Sequence, residues 1–269
     1  MEYVKCNLCN SKDYRQLFSA GDSNLTKQGM FSVVRCRDCG LVYMNPRLTK
    51  ESMAQFYPAT YYKLEKSESS YLSSILKDKC NIKEMIRSCH KIERLKEKGK
   101  ILDVGCGRGD FLNYMRARGW ETYGVESTEI AARHCREVQG LNVFYGELLE
   151  ANFHANHFDV VRLGHVLEHV QNPREILQEI NRILKPEGLL VISVPNIDSY
   201  EAKIFRENWY MLDLPRHLYH FSLKTLKDIL EKTKFQIIYF TRNYDLFAFR
   251  ASLIRKSESL SIFKQMNVK

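Results

Sequence analysis

Apolar residues change their spacing near residue 100. Before it, residues 49–99 are rich in Lys, Glu and Ser, with apolar positions at three- and four-residue steps: Met53, Phe56 and Tyr57, then Leu72, Ile75 and Leu76, then Ile82, Met85 and Ile86. That period is helical and predicts helices joining two modules. The Tyr57–Tyr62 cluster within it reads as a hydrophobic clasp. From Lys100 onward short apolar runs alternate with helical patterns, as in a parallel sheet covered on both faces. The runs predict strands over 100–104, 121–126, 142–145, 158–163, 188–194 and 235–240. Helix signals fill the gaps. Ser127 or Thr128 caps a helix running to Val138, with Gly140 past its end. Asn172-Pro173 opens a second helix that Lys185–Gly188 closes with a turn, and Ser222 caps a third with Leu223, Leu226, Ile229 and Leu230 on one face. Residues 246–269 read as a last strand and tail.

Composition narrows the class. The apolar runs fall well short of the roughly 20 residues that cross a bilayer, and Met1–Cys6 has no apolar signal core. A cytoplasmic protein is expected. The net charge of +9 is spread along the chain rather than blocked, which describes a solvated surface better than a nucleic-acid groove. Arg250, Arg255, Lys256 and Lys264 among the apolar residues of 241–269 make that segment a candidate peripheral membrane contact. Nothing in the pattern fixes an oligomeric state.

Eight cysteines in a reducing compartment point to metal or buried thiols rather than disulfides. Cys6-Asn-Leu-Cys9 and Cys36-Arg-Asp-Cys39 are two C-x2-C knuckles with 26 residues between them, a span a hairpin covers. Two knuckles complete a tetrahedral S4 set suited to Zn2+, and four thiolates leave no position for water or substrate. The expected ion is structural. Gly40 tolerates the positive φ of the second knuckle, and Leu41–Met44 reads as the strand after it.

Ile101–Leu112 runs from a strand through Gly105-Cys106-Gly107-Arg108-Gly109 into a helix. Glycine-rich turns of this kind also hold phosphates, but there is no Gly-Lys-Ser/Thr, and the spacing is G-x-G-x-G rather than G-x-G-x-x-G. Asp103 just before the turn would repel a pyrophosphate and accept from an ammonium or hydroxyl. Some twenty residues on, Glu126 ends the next strand where an acid reaches ribose hydroxyls. The ligand these residues fit is a nucleoside with a cationic tail.

With Phe158-Asp159-Val160-Val161, His165–Val170 and Leu184–Leu190 added, residues 100 to 240 resemble the class I S-adenosylmethionine-dependent methyltransferases. The resemblance implies an α/β, Rossmann-like methyltransferase sheet, mostly parallel with helices on both faces, behind the small zinc ribbon. It implies that Asp103, Gly105, Gly107 and Gly109 hold the cofactor's methionine part, that Glu126 binds its ribose, and that Glu147, Leu148 and Leu163 border it further. Many members have Asp where this chain has Glu147. The boundaries expected are a zinc ribbon at 1–47, a helical linker or lid at 48–99, the cofactor domain at 100–245 and a strand or tail at 246–269.

The acceptor is less defined. His165, Glu168 and His169 follow the fourth sheet strand, and His165 is the candidate for lining the site. Trp209–Ser222 gathers aromatics with Arg216, His217 and His220, groups that stack on a ring, clamp an anion or take a proton. Pro215–Ser222 is similar to zinc-ribbon methyltransferases of bacterial glycan and deoxysugar pathways, which implies a small-molecule or glycan acceptor and, first among its chemistries, O-methylation. Two alternatives stay open: an RNA acceptor read through the ribbon and the basic charge, and a binding module whose cofactor site is vestigial.

Overall fold

The structure is a computed structural model that describes residues 1–22, 29–57, 71–243 and 245–266. Pro58–Tyr62 of the expected clasp lie outside the described residues, as do the side chains of Leu72, Ile75, Leu76 and Lys264. The chain divides into two compact units. One comprises Met1–Tyr61, Pro195–Lys232 and Gln236–Lys269, the other Tyr62–Val194 and Thr233–Phe235. The linear boundaries expected from sequence run differently, because 195–232 joins the N-terminal module.

The second unit carries a parallel sheet. Its strands are β4 (Lys100–Val104), β5 (Glu121–Glu126), β6 (Asn142–Tyr145), β7 (Phe158–Gly164) and β8 (Leu184–Ser193), in the order β6-β5-β4-β7-β8. The chain winds outward from β4 through β5 to β6, then returns to β7 on the other side. The crevice between β4 and β7 is therefore the switch point where doubly wound sheets bind ligands. Helices α2 (Tyr71–Leu95), α3 (Asp110–Ala117), α4 (Glu129–Arg133) and α5 (Pro173–Ile183) connect or flank these strands, and a π-helical turn extends α4 through His134–Val138. Ile92 of α2, Phe111, Leu112 and Met115 of α3, and Ile101 and Val160 of the sheet meet in one buried cluster. Burial of six such side chains at about 1.5–3 kcal/mol each is ample to hold α3 against the strands.

The Lys185–Gly188 turn expected after α5 is present inside β8. Phe158 pairs with Leu184 and Val160 with Leu189, so four residues bulge from the ladder with Glu187 at φ 61°.

The other unit holds an antiparallel sheet of β1 (Tyr14–Gly21), β2 (Met30–Cys36), β3 (Val42–Met44) and β9 (Tyr219–His220), in that order. It also contains α1 (Lys50–Met53), α6 (Tyr200–Phe205), α7 (Leu223–Lys232) and α8 (Leu246–Met266). Two expectations are corrected here. Residues 235–240 form no strand: among the described residues no strand pairs with them, and Ile238 and Tyr239 stay 72 % and 58 % exposed. The expected strand or tail at 246–269 is helix through Met266. Asp245 starts that helix: its Oδ1 accepts from the backbone N–H groups of Phe247 and Ala248 at 2.9 and 3.1 Å. Phe249 packs edge-on to Phe205 of α6, which holds α8 within its unit. Among the described residues no helix is long and apolar enough to cross a membrane.

Candidate functional site

The glycine turn sits at the C-terminal end of β4, and each of its three glycines has positive φ: 68° at Gly105, 54° at Gly107 and 81° at Gly109. Their surroundings differ. A Cβ at Gly105 would lie 2.6 Å from Val166 Cγ2, and one at Gly109 2.5 Å from Leu141 Cδ1, so both are closely packed. A Cβ at Gly107 would meet nothing within 4 Å. Gly107 therefore borders open space, the place left for a ligand to approach backbone.

Glu126 at the end of β5 is 5 % exposed and held by two backbone donors, Gly107 N–H on Oε2 and Thr128 N–H on Oε1, both at 2.8 Å. The carboxylate is fixed in direction before any ligand arrives, with lone pairs remaining on each oxygen. Cys135 and Gln139 brace the same turn from the far side through Gly107 O (3.3 Å) and Arg108 O (2.6 Å).

Asp103 on β4 is 1 % exposed, and its Oδ1 accepts from Arg162 Nη1 at 2.7 Å. Burial pushes its carboxyl above the usual range, Arg162 pulls it back, and the charge of Glu126 adds to the rise. Arg162 was not singled out from sequence. The available signal was a lone arginine in the apolar run Val160-Val161-Arg162-Leu163, on a strand that pairs with the one carrying Asp103.

Beyond β6, Glu147 is exposed and caps a short 3-10 turn, Leu148–Glu150, with its N–H on Glu150 Oε2 at 2.8 Å, while Leu148 is 2 % exposed. Leu163 is fully buried in β7. His165 follows at φ 58°, its N–H bonded to Ser193 O and its Nδ1 3.4 Å from Glu168 Oε1. Crowding by protein atoms disfavours its charged form, but the hydrogen bond and charge of Glu168 outweigh that and raise its pKa. Asp103, the three glycines, Glu126, Glu147, Leu148, Leu163 and His165 thus all lie at or beyond the C-terminal ends of one parallel sheet, within one unit.

In the other unit Cys6 and Cys39 sulfurs lie 3.4 Å apart, as do those of Cys9 and Cys36, and all four fall within 4.8 Å of one another. That exceeds a disulfide's S–S length of about 2.05 Å. It suits four sulfurs each about 2.3 Å from a common ion. Backbone N–H groups of Leu8 and Cys9 point at Cys6, and those of Asp38 and Cys39 at Cys36, as knuckles that stabilise thiolates require.

Arg216 and its neighbours belong to this same unit. The guanidinium is fully buried and meets a carboxylate bidentately, as expected of it, but the carboxylate is the protein's own Asp213: Nε to Oδ2 at 3.1 Å and Nη2 to Oδ1 at 2.8 Å. Asp22 Oδ1 and Phe56 O take further donors at 3.0 and 3.3 Å. These carboxylates outweigh desolvation and hold the Arg216 pKa above its ordinary value. His217 Nδ1 lies 2.9 Å from Met211 O, and His220 pairs with Val42 in the ribbon sheet. Trp209, Tyr219 and Phe221 are each under 5 % exposed, so the aromatic faces of this segment turn inward.

The model of the methyltransferase domain family matches residues 80–239, more than half of the chain. The chain belongs to this methyltransferase family. The matched span covers every strand of the parallel sheet, the glycine turn and Glu126.

Among curated proteins, this chain is 33 % identical over 136 residues to a ubiquinone biosynthesis O-methyltransferase of Actinobacillus pleuropneumoniae serotype 5b, covering 46 % of this chain and 58 % of that one. It is 35 % identical over 145 residues to the protein of that name from Maricaulis maris, covering 49 % and 56 %. The match therefore spans a little over half the length of these relatives. A crystal structure of a SAM dependent methyltransferase from Archaeoglobus fulgidus is similar at 25 % identity and a TM-score of 0.49, over 64 % of this chain and 83 % of that one.

Proposed function

We propose that this protein is an S-adenosylmethionine-dependent methyltransferase that methylates a hydroxyl of a small molecule. The observation that carries the reading is the pairing of open space over Gly107 with a Glu126 carboxylate already aimed by two backbone donors. The cofactor supplies an electrophilic methyl when bound. Asp103 and the three glycines would take its methionine part, Glu126 its ribose, and Glu147, Leu148 and Leu163 would border the rest.

Methyl transfer is an in-line displacement, so the protein's task is to hold the acceptor close and accept its proton. His165 is the base we assign, with Glu168 orienting its ring. His217, expected from sequence as a further catalytic group, is buried with Nδ1 2.9 Å from Met211 O and Nε2 3.9 Å from Asp213 Oδ2, and receives a structural role. Arg216 and His220 receive structural roles, since the arginine's donors are engaged by Asp22 and Asp213 and the histidine lies in the ribbon sheet. The printed names of the curated relatives favour an oxygen acceptor. The likeness of Pro215–Ser222 to glycan-pathway methyltransferases favours a sugar-type hydroxyl. The ribbon would hold Zn2+ through Cys6, Cys9, Cys36 and Cys39, and with its ligand set closed the ion would stabilise the fold without entering the chemistry. An exposed apolar stretch at Ile237–Phe240 supports peripheral membrane contact near the C-terminal segment.

Calorimetric titration with S-adenosylhomocysteine tests the cofactor reading, and absence of binding sinks it. Mass spectrometry after incubation with isotope-labelled cofactor and small-molecule extracts names the acceptor. Label recovered only on nitrogen or carbon would exclude O-methylation.

A further inference from the structure

The turn that follows α4 is π-helical: Gln139 N–H bonds to His134 O at 3.2 Å, five residues back. Such turns are rare departures from α-helical geometry and are met most often at functional sites. From this one two side chains reach the carbonyl oxygens of the glycine turn, Cys135 Sγ to Gly107 O at 3.3 Å and Gln139 Nε2 to Arg108 O at 2.6 Å. A carbonyl oxygen only accepts, so the nitrogen end of the Gln139 amide faces Arg108 O. The same nitrogen lies 3.0 Å from His134 Nε2, and one hydrogen on each acceptor uses both its donors. Gln139 Oε1 is left buried and, among the described residues, without a hydrogen-bond partner. A group in that state costs about 1–3 kcal/mol, so an apolar side chain would serve packing better and packing alone does not account for Gln139.

We propose that Gln139 is a positioning residue for cofactor binding, which touches no ligand and holds the Arg108 carbonyl back from the space over Gly107. The assignment rests on the cofactor reading above and adds to it a residue from outside the glycine turn. Arg108 stands between two glycines at positive φ, so little in the turn itself resists rotation of its peptide groups. In a trans peptide the C=O and the next N–H point opposite ways. Drawing the Gly107 and Arg108 oxygens to the π-turn therefore directs the N–H groups of Arg108 and Gly109 away from it, and Gly109 N–H meets Cys106 O at 3.0 Å. Without Gln139 the Arg108 peptide is free to turn, and its oxygen can swing into the place the cofactor needs.

The test is calorimetric titration of the whole chain with S-adenosylhomocysteine, beside a thermal melt of each preparation. Gln139→Leu removes the brace and the unpartnered oxygen together. Affinity should fall about threefold to tenfold, the scale of one neutral hydrogen bond, while Tm stays within about 3 °C of the wild type. Gln139→Glu has the same size but sets a carboxylate against Arg108 O, and should bind more weakly than Gln139→Leu. Gln139→Lys restores a donor without an acceptor and should return affinity to within about twofold of the wild type. Affinities that simply follow Tm through the series, or a Gln139→Leu protein that binds like the wild type, overturn the positioning role while the cofactor reading stands. A wild-type protein that binds no S-adenosylhomocysteine removes both.

Discussion

The glycine turn offers a separation of stability from binding that depends on two residues two positions apart. Alanine at either Gly107 or Gly109 must adopt positive φ, 54° or 81°, at a cost of about 1–2 kcal/mol. At Gly107 nothing more is added, because its Cβ would stand in open space. At Gly109 the Cβ would lie 2.5 Å from Leu141 Cδ1 and 3.0 Å from Cys135 Sγ. Leu141 is 5 % exposed and Cys135 fully buried, so neither moves aside into solvent, and overpacking adds about 1–3 kcal/mol. Gly109→Ala should therefore lose about 2–5 kcal/mol, or roughly 4–20 °C in Tm for a domain of this size, against roughly 2–8 °C for Gly107→Ala. Binding should order the other way. A methyl in the space over Gly107 displaces the ligand from the backbone and should cost about tenfold or more in S-adenosylhomocysteine affinity, a loss of about 1.4 kcal/mol. Gly109→Ala should bind nearly normally at temperatures where it is folded. Thermal melts and calorimetry on the same preparations make the comparison. The reasoning fails if Gly107→Ala binds like the wild type, or if the two variants melt together.

The triad of buried Arg216 and Asp22 with half-buried Asp213 predicts that Arg216→Ala destabilises by about 3–5 kcal/mol, because both carboxylates lose this cation. An unchanged Tm with a collapsed turnover would return this arginine to the substrate. For His165, the Glu168 contact raises the folded pKa above the ordinary 6.5, so the neutral base appears only as pH rises past that raised value. Turnover should then rise along an acid limb centred above pH 6.5, with Glu168→Gln moving the limb down and His165→Asn abolishing it. The same contact stabilises the fold most in acid and fades as pH climbs through that pKa. For the ribbon, elemental analysis should find one zinc ion per chain, lost in Cys36→Ser. Full zinc content in that variant would refute the four-cysteine site.

Much of the parallel sheet was legible because its signals are local. The apolar runs at 100–104, 121–126 and 142–145 became β4, β5 and β6, and Asn172-Pro173 opened α5 as a cap followed by proline should. The position of Glu126 was readable for a similar reason: an acid at a strand end needs only the strand to be placed. Local pattern also misled at the C-terminus. Phe247 and Phe249 alternate as a strand would, yet Asp245 caps the two N–H groups that follow it, and that start outweighs two residues of alternation.

What the sequence concealed are the long-range pairings, and they concern charges. Asp22 and Arg216 stand 194 positions apart, and β9 joins β3 through Val42 and His220, so neither contact leaves a mark at a local spacing. Trp209–Ser222 shows the consequence. Its residue types argued for a ligand surface, but arginine, histidine and aromatics are equally the residues that a buried polar network requires. The distinguishing sign was the leucines between them: Leu212, Leu214 and Leu218 are each at most 2 % exposed. A segment so interleaved with core residues has little surface left to offer a substrate. Arg162 is the opposite case. Its run of apolar neighbours marked it as out of place, and the carboxylate beside it on β4 shows which charge it serves. Where an arginine stands alone among strand residues, its register partner is therefore a better guide to its role than the residues that flank it in sequence.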